Sequence, residues 1–149
     1  QPLFTALRNS GRTIGRFSSA AENGVDPVVG WLVCVKGPYY GQSFPLKSGK
    51  NRIGRAQSMD VRLLNDSSVS RDCVAVIVYD AKIGDFSVIP GDSDSLCYWN
   101  EAAVYTREQL TAYDTLELGD SGRNAFIFVP LCGERFSWAD RQSDEARRD

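Results

Sequence analysis

The chain has 149 residues, 42% of them hydrophobic, which suits a single domain with a real core and flanking tails. Seventeen Lys and Arg face nineteen Asp and Glu, a net charge of −2, which argues against sequence-blind nucleic-acid binding, because that needs a basic surface. There is no histidine, which removes Ser-His-Asp and Cys-His relays, histidine general acids and histidine metal ligands.

Residues 1–26 are rich in Ser, Gly, Ala, Asn and Arg and carry few strand signals, so they are expected to form a flexible tail or linker that ends at Pro27 and Gly30. From Trp31 the texture changes. Short apolar stretches recur at Trp31–Val35, Ser43–Leu46, Asn51–Ile53, Val61–Leu63, Val74–Tyr79, Phe86–Ile89, Cys97–Trp99, Thr115–Leu118 and Ala125–Val129. Turn residues separate them: Gly37-Pro38, Ser48-Gly49, Asp66-Ser67-Ser68, Pro90-Gly91-Asp92 and Gly119-Asp120. Many short strands at close spacing, rich in β-branched and aromatic residues, predict an all-β sandwich or barrel over residues 27–138. Arg107–Ala112 is compatible with one helical turn, and 139–149 reads as a charged C-terminal tail.

No apolar run approaches the roughly 20 residues that span a bilayer, and no secretory leader pattern is visible. The expectation is a soluble, cytoplasmic protein with no membrane and no nucleic-acid partner. The four cysteines, Cys34, Cys73, Cys97 and Cys132, form no CxxC pair and sit in strand-like apolar contexts. They read as reduced core residues rather than zinc ligands, and no cofactor or metal is expected.

Four pieces in order across Gly30–Trp138 resemble the forkhead-associated (FHA) domain family. Gly37–Leu46 followed by Gly49 and Ile53-Gly54-Arg55 is similar to the family's opening hairpin with its Gly-Arg pair. Asp60–Leu63 followed by Val69-Ser70-Arg71-Asp72-Cys73-Val74 resembles its loop pattern of Ser, two residues, then His. Tyr98–Val104 resembles the late Asn-Gly hairpin, and Leu110, Tyr113-Asp114, Leu116–Gly119 and Phe126–Val129 resemble the closing strands. The resemblance implies an eleven-stranded β-sandwich of the SMAD/FHA type whose loops at one end bind phosphothreonine peptides.

A phosphothreonine carries about −1.5 to −2 charges and three strong acceptor oxygens. Arginine suits it, because the planar fork makes paired charge-assisted bonds. The resemblance implies that Arg55 binds phosphate, that the Ser70 hydroxyl donates to it, and that Arg71 is a second cation. Cys73 stands where the family usually has a supporting histidine, and a thiol is a weaker donor. Asp94-Ser95-Leu96 stands where the family tends to have a small polar residue, Asn and Gly. Ser95 is expected to bond the peptide backbone, and Asp94 to repel phosphate or select a neighbouring basic residue. Asn100 is expected to serve a hairpin turn, and Trp31, Trp99 and Trp138 to serve packing.

Three function classes follow from these residues. The favoured one is a phosphothreonine-peptide reader downstream of a Ser/Thr kinase. The second is an FHA-like protein-protein interaction domain that has lost phosphate recognition. The third, an enzyme holding a metal on Asp66, Asp92 and Asp94, is disfavoured, because these acids lie in separate turns and match no calcium-loop spacing. Thr5 or Thr13, with Arg8, Arg12 and Arg16 nearby, offers the chain's own N-terminal tail as a phosphorylated ligand of the pocket.

Overall fold

A computed structural model describes residues 26–119 and 122–139. The expected N-terminal tail up to residue 25, with Thr5 and Thr13, lies outside them, as does the charged segment from residue 140 onward.

Eleven strands run in chain order: β1 Val28–Lys36, β2 Ser43–Lys47, β3 Gly49–Gly54, β4 Val61–Arg62, β5 Ala75–Asp80 and β6 Asp85–Pro90, followed by β7 Tyr98–Trp99, β8 Ala102–Ala103, β9 Glu108–Gln109, β10 Thr115–Leu118 and β11 Asn124–Pro130. They form two packed sheets. One has five strands in the order β9-β6-β5-β3-β4; the other has six in the order β2-β1-β11-β10-β7-β8. All pairings are antiparallel except β3 with β4. The protein is an all-β sandwich, as the strand spacing predicts.

Period-two alternation explains which side chains enter the core. On β11, Phe126 and Phe128 point inward while Ile127 and Val129 are half-buried. On β1, Leu32 and Cys34 are buried between partly exposed Trp31, Val33 and Val35. Phe86 of β6 meets Phe128 of β11 across the sheets, ring centroids 4.7 Å apart and steeply inclined, in the edge-on arrangement that aromatic quadrupoles favour. Trp138 closes one side of the core, and its indole N–H donates to the Val28 carbonyl at 2.7 Å. All four cysteines are buried as free thiols.

The segment Arg107–Ala112 departs from expectation. It makes no helical turn: Glu108 and Gln109 form the edge strand β9 on β6, opposite Val88 and Ser87. The Leu110 amide then donates to the Phe86 carbonyl at 2.9 Å, and Leu110 is buried. Pairing with an open sheet edge outweighs a one-turn helical tendency, which has no cooperative support.

The Asn100-Glu101 turn joins β7 and β8 with both residues at positive φ, 47° and 74°. This is the geometry of a two-residue hairpin turn whose twist matches the strands. The Asn100 carboxamide is also committed, donating to Asp114 and accepting from the Thr115 amide at 2.9 Å.

Register fixes where the loops emerge. Ala75 at the start of β5 lies opposite both Ile53 near the end of β3 and Pro90 at the end of β6. The segments after β3, before β5 and after β6 therefore leave the sandwich at one end. Those segments contain Arg55, Ser70–Cys73 and Gly91–Leu96.

Candidate functional site

Gly54 and Arg55 begin the site. The carbonyl of Asp72 comes so close to Gly54 that a Cβ there would lie 2.8 Å from its oxygen. Glycine is needed for this approach, not for an unusual φ. The loop from residue 63 to 74 folds down onto the end of β3, and the Arg55 amide donates to the Ser70 carbonyl at 2.9 Å. The Arg55 Nε donates to the Val69 carbonyl at 2.8 Å. One guanidinium nitrogen is thus spent on fixing the side chain, while the terminal nitrogens keep their donors. That restricts a long, rotamer-rich side chain before any ligand arrives, which lowers the entropy cost of binding.

Ser70 is partly exposed beside this anchor. Its Oγ accepts from the Asp72 amide at 3.1 Å, a local turn bond of the kind serine favours. The hydroxyl proton is not consumed, so Ser70 can still donate outward. Arg71 is exposed on the same loop.

Asp66 anchors this loop from below. Its carboxylate accepts from the Ser68 amide at 3.0 Å and from the Ser68 hydroxyl at 2.7 Å. It also accepts from Asn124 Nδ2 at the start of β11, and the Arg123 Nε lies 3.4 Å away. Burial alone pushes the Asp66 carboxyl up, but the donors from Asn124 and Ser68 and the Arg123 charge outweigh it and hold the carboxyl below its ordinary value. The sequence marked Asp66 as a turn former and, in the disfavoured enzyme reading, as a metal ligand; its partner Asn124 is 58 residues away and carried no signal.

The third loop is tied to the second through Cys73. The Gly91 amide donates to the Val74 carbonyl and the Ser93 amide to the Cys73 carbonyl, both at 3.0 Å. A Cβ at position 91 would run into the Cys73 carbonyl oxygen, so glycine is required there. The Cys73 thiol donates to the Ala75 carbonyl at 3.2 Å and is almost fully buried beside Met59 and Val76. Support that a histidine would give is supplied here by packing and by these backbone bonds. Beyond the tie, the Ser93 hydroxyl accepts from the Ser95 amide at 3.0 Å. Asp94, Ser95 and Leu96 are all exposed.

Register and bonds thus bring Arg55, Ser70 and Arg71 onto two adjoining loops, with Asp94 and Ser95 on a third loop pinned to the second. Asp66, proposed in the enzyme reading as a metal ligand, is instead turned inward to Asn124 and Ser68, away from Asp92 and Asp94 on the third loop.

No family model matches the chain, and no curated protein matches it. Solved structures do. An FHA domain from work on phosphothreonine-dependent FHA domain interactions is 28% identical, covering 67% of this chain and 94% of its own, with a TM-score of 0.56. The FhaA FHA domain, solved in complex with the intracellular domain of Rv3910, is 28% identical over 66% of this chain and 98% of its own, with a TM-score of 0.55. The N-terminal FHA domain of S. cerevisiae Rad53p, solved with a phosphothreonine peptide, bears on fold alone at 17% identity; it covers 73% of this chain and 97% of its own, with a TM-score of 0.59. The two-sheet sandwich and its loop cluster are similar to those of FHA domains, and these matches support an FHA-type fold for the chain.

Proposed function

We propose that the chain is a phosphothreonine-peptide reader that acts on the output of a Ser/Thr kinase. The observation that carries this reading is the Nε-anchored Arg55 guanidinium held against the loop that presents Ser70. An immobilised cation beside a neutral hydroxyl donor matches a doubly charged ester with three acceptors. Arg71 adds a second cation from the same loop. Ser95 supplies a donor to the peptide backbone, and the Asp94 carboxylate favours a basic residue next to the phosphothreonine. The role belongs in the cytoplasm, where kinases supply the mark. Phosphorylated Thr5 or Thr13 of the chain's own N-terminal segment is one ligand of the right kind, because a tether raises effective concentration.

A phosphothreonine peptide library screened against the wild type, Arg55→Ala and Ser70→Ala tests the reading. Retention by the wild type and loss in both variants is the expected result. Equal retention of phosphorylated and unphosphorylated peptides would instead favour a domain without phosphate recognition.

A further inference from the structure

The outer face of the five-stranded sheet carries a second feature. Alternation along β3 turns Lys50 and Arg52 outward, opposite Val78 and Val76 of β5. Ile89 of β6 lies opposite Val76. Cations on β3 therefore stand at one side of an aliphatic strip, over a small apolar cluster of Met59, Cys73 and Val76 that is separate from the main core. An open depression of about 380 Å³ follows this row, from Lys50 and Arg52 across Val76 and Ile89 to the turn at Gly91.

Neither the Lys50 ammonium nor the Arg52 guanidinium has an ion-pair partner among the described residues. Asp26, Asp60 and Asp80 line an adjoining hollow that Lys50 also borders, and Asp60 accepts from the Arg52 amide at 2.9 Å, but none of the three lines this depression, where Asp92 stands at the far rim. The strand side of the depression is thus cationic, its floor aliphatic and its loop side acidic.

We propose that this face is a second docking site, for an unphosphorylated segment of a protein partner that carries an acidic residue and an aliphatic or aromatic one. The carboxylate sits over Lys50 and Arg52; the apolar side chain covers Val76 and Ile89. The middle of the Val76–Ile89 pair lies about one and a half strand spacings from β3, roughly 7 Å, which an extended peptide crosses in about two residues with both side chains on one face. The acidic and apolar residues are therefore about two positions apart. Charge complementarity selects the segment and apolar burial holds it. The site does not use Arg55, so it stands whether or not phosphothreonine is read at the loops.

The test is an array of unphosphorylated peptides that pairs Asp or Glu with Leu, Ile or Phe at spacings of about one to six residues, with Lys replacing the acid as control. Binding is followed by fluorescence anisotropy and by amide shifts of the labelled domain. The expected result is binding that peaks near a spacing of about two, with shifts at Arg52, Val76 and Ile89. Lys50→Glu with Arg52→Glu weakens binding at least tenfold, and Arg55→Ala leaves it unchanged. Both side chains point to solvent, and matching melting curves establish that the double variant is folded. No acid-dependent binding to the wild type, equal binding by the double variant, or loss in Arg55→Ala overturns the proposal.

Discussion

The amide of Arg55 donates to the carbonyl of Ser70 at 2.9 Å, while the Arg55 Nε donates to the neighbouring Val69 carbonyl at 2.8 Å. The proposed phosphate cation and the proposed phosphate donor are thereby held in one backbone-linked unit. Arg55→Lys keeps the charge but cannot reproduce both the Nε anchor and a free fork. It is expected to weaken phosphopeptide binding at least tenfold, and Arg55→Ala to cost about 2–5 kcal/mol. Calorimetric titration of each variant with one selected peptide checks the order.

Asp66 links the Ser70 loop to Asn124. Its carboxyl is lowered in the folded state from an ordinary value of 3.8, so the folded protein binds this proton less readily than the unfolded chain. The resulting stabilisation is fully present above about pH 4 and is lost as pH falls through the folded value. Asp114, whose carboxylate accepts from Trp99, Asn100 and Thr111, is lowered in the same direction, its bonds outweighing burial. Asp66→Asn is expected to flatten part of the acid limb of a urea-stability profile. It also lowers stability near neutral pH by about 1–3 kcal/mol, because Ser68 and Asn124 lose an acceptor.

Gly91 has no room for a side chain against the Cys73 carbonyl. Gly91→Ala is expected to lose about 2 kcal/mol or more and to detach the loop bearing Asp94 and Ser95. Gly133, with nothing near its Cα in the Cβ direction, is the control: Gly133→Ala stays within about 0.5 kcal/mol. Urea denaturation of the two variants decides it.

Burial pushes the Cys97 thiol up to about 12, far from the thiolate form that alkylates. Iodoacetamide at pH 8 is expected to spare Cys97 in the folded protein and to label it once urea unfolds the chain. Peptide mass spectrometry reads the difference directly.

Much of this architecture was legible in the chain itself. The short apolar runs at Trp31–Val35, Val74–Tyr79 and Ala125–Val129, rich in β-branched and aromatic residues and separated by turn residues, mark strands, and the structure extends or trims each by only a few residues. Two-residue strands make no such run. Ala102–Ala103 was covered only as part of a resembling hairpin, and Glu108–Gln109 lay in a stretch compatible with one helical turn, because its strand character comes from the β6 edge. The Gly54-Arg55 pair was visible, but the reason for the glycine, the Asp72 carbonyl, is a tertiary contact. The same holds for Gly91 against Cys73 and for Asp66 against Asn124. Contacts between residues so far apart in the chain, 58 positions for Asp66 and Asn124, leave no local pattern to find.

Titration calorimetry with one library-selected peptide, made with threonine and with phosphothreonine at the same position, reaches the core of this account most directly. Saturable binding of the phosphorylated form alone, weakening with added salt and abolished in Arg55→Ala, is the predicted outcome. Equal heats from both peptides, or undiminished affinity without the Arg55 guanidinium, would contradict it.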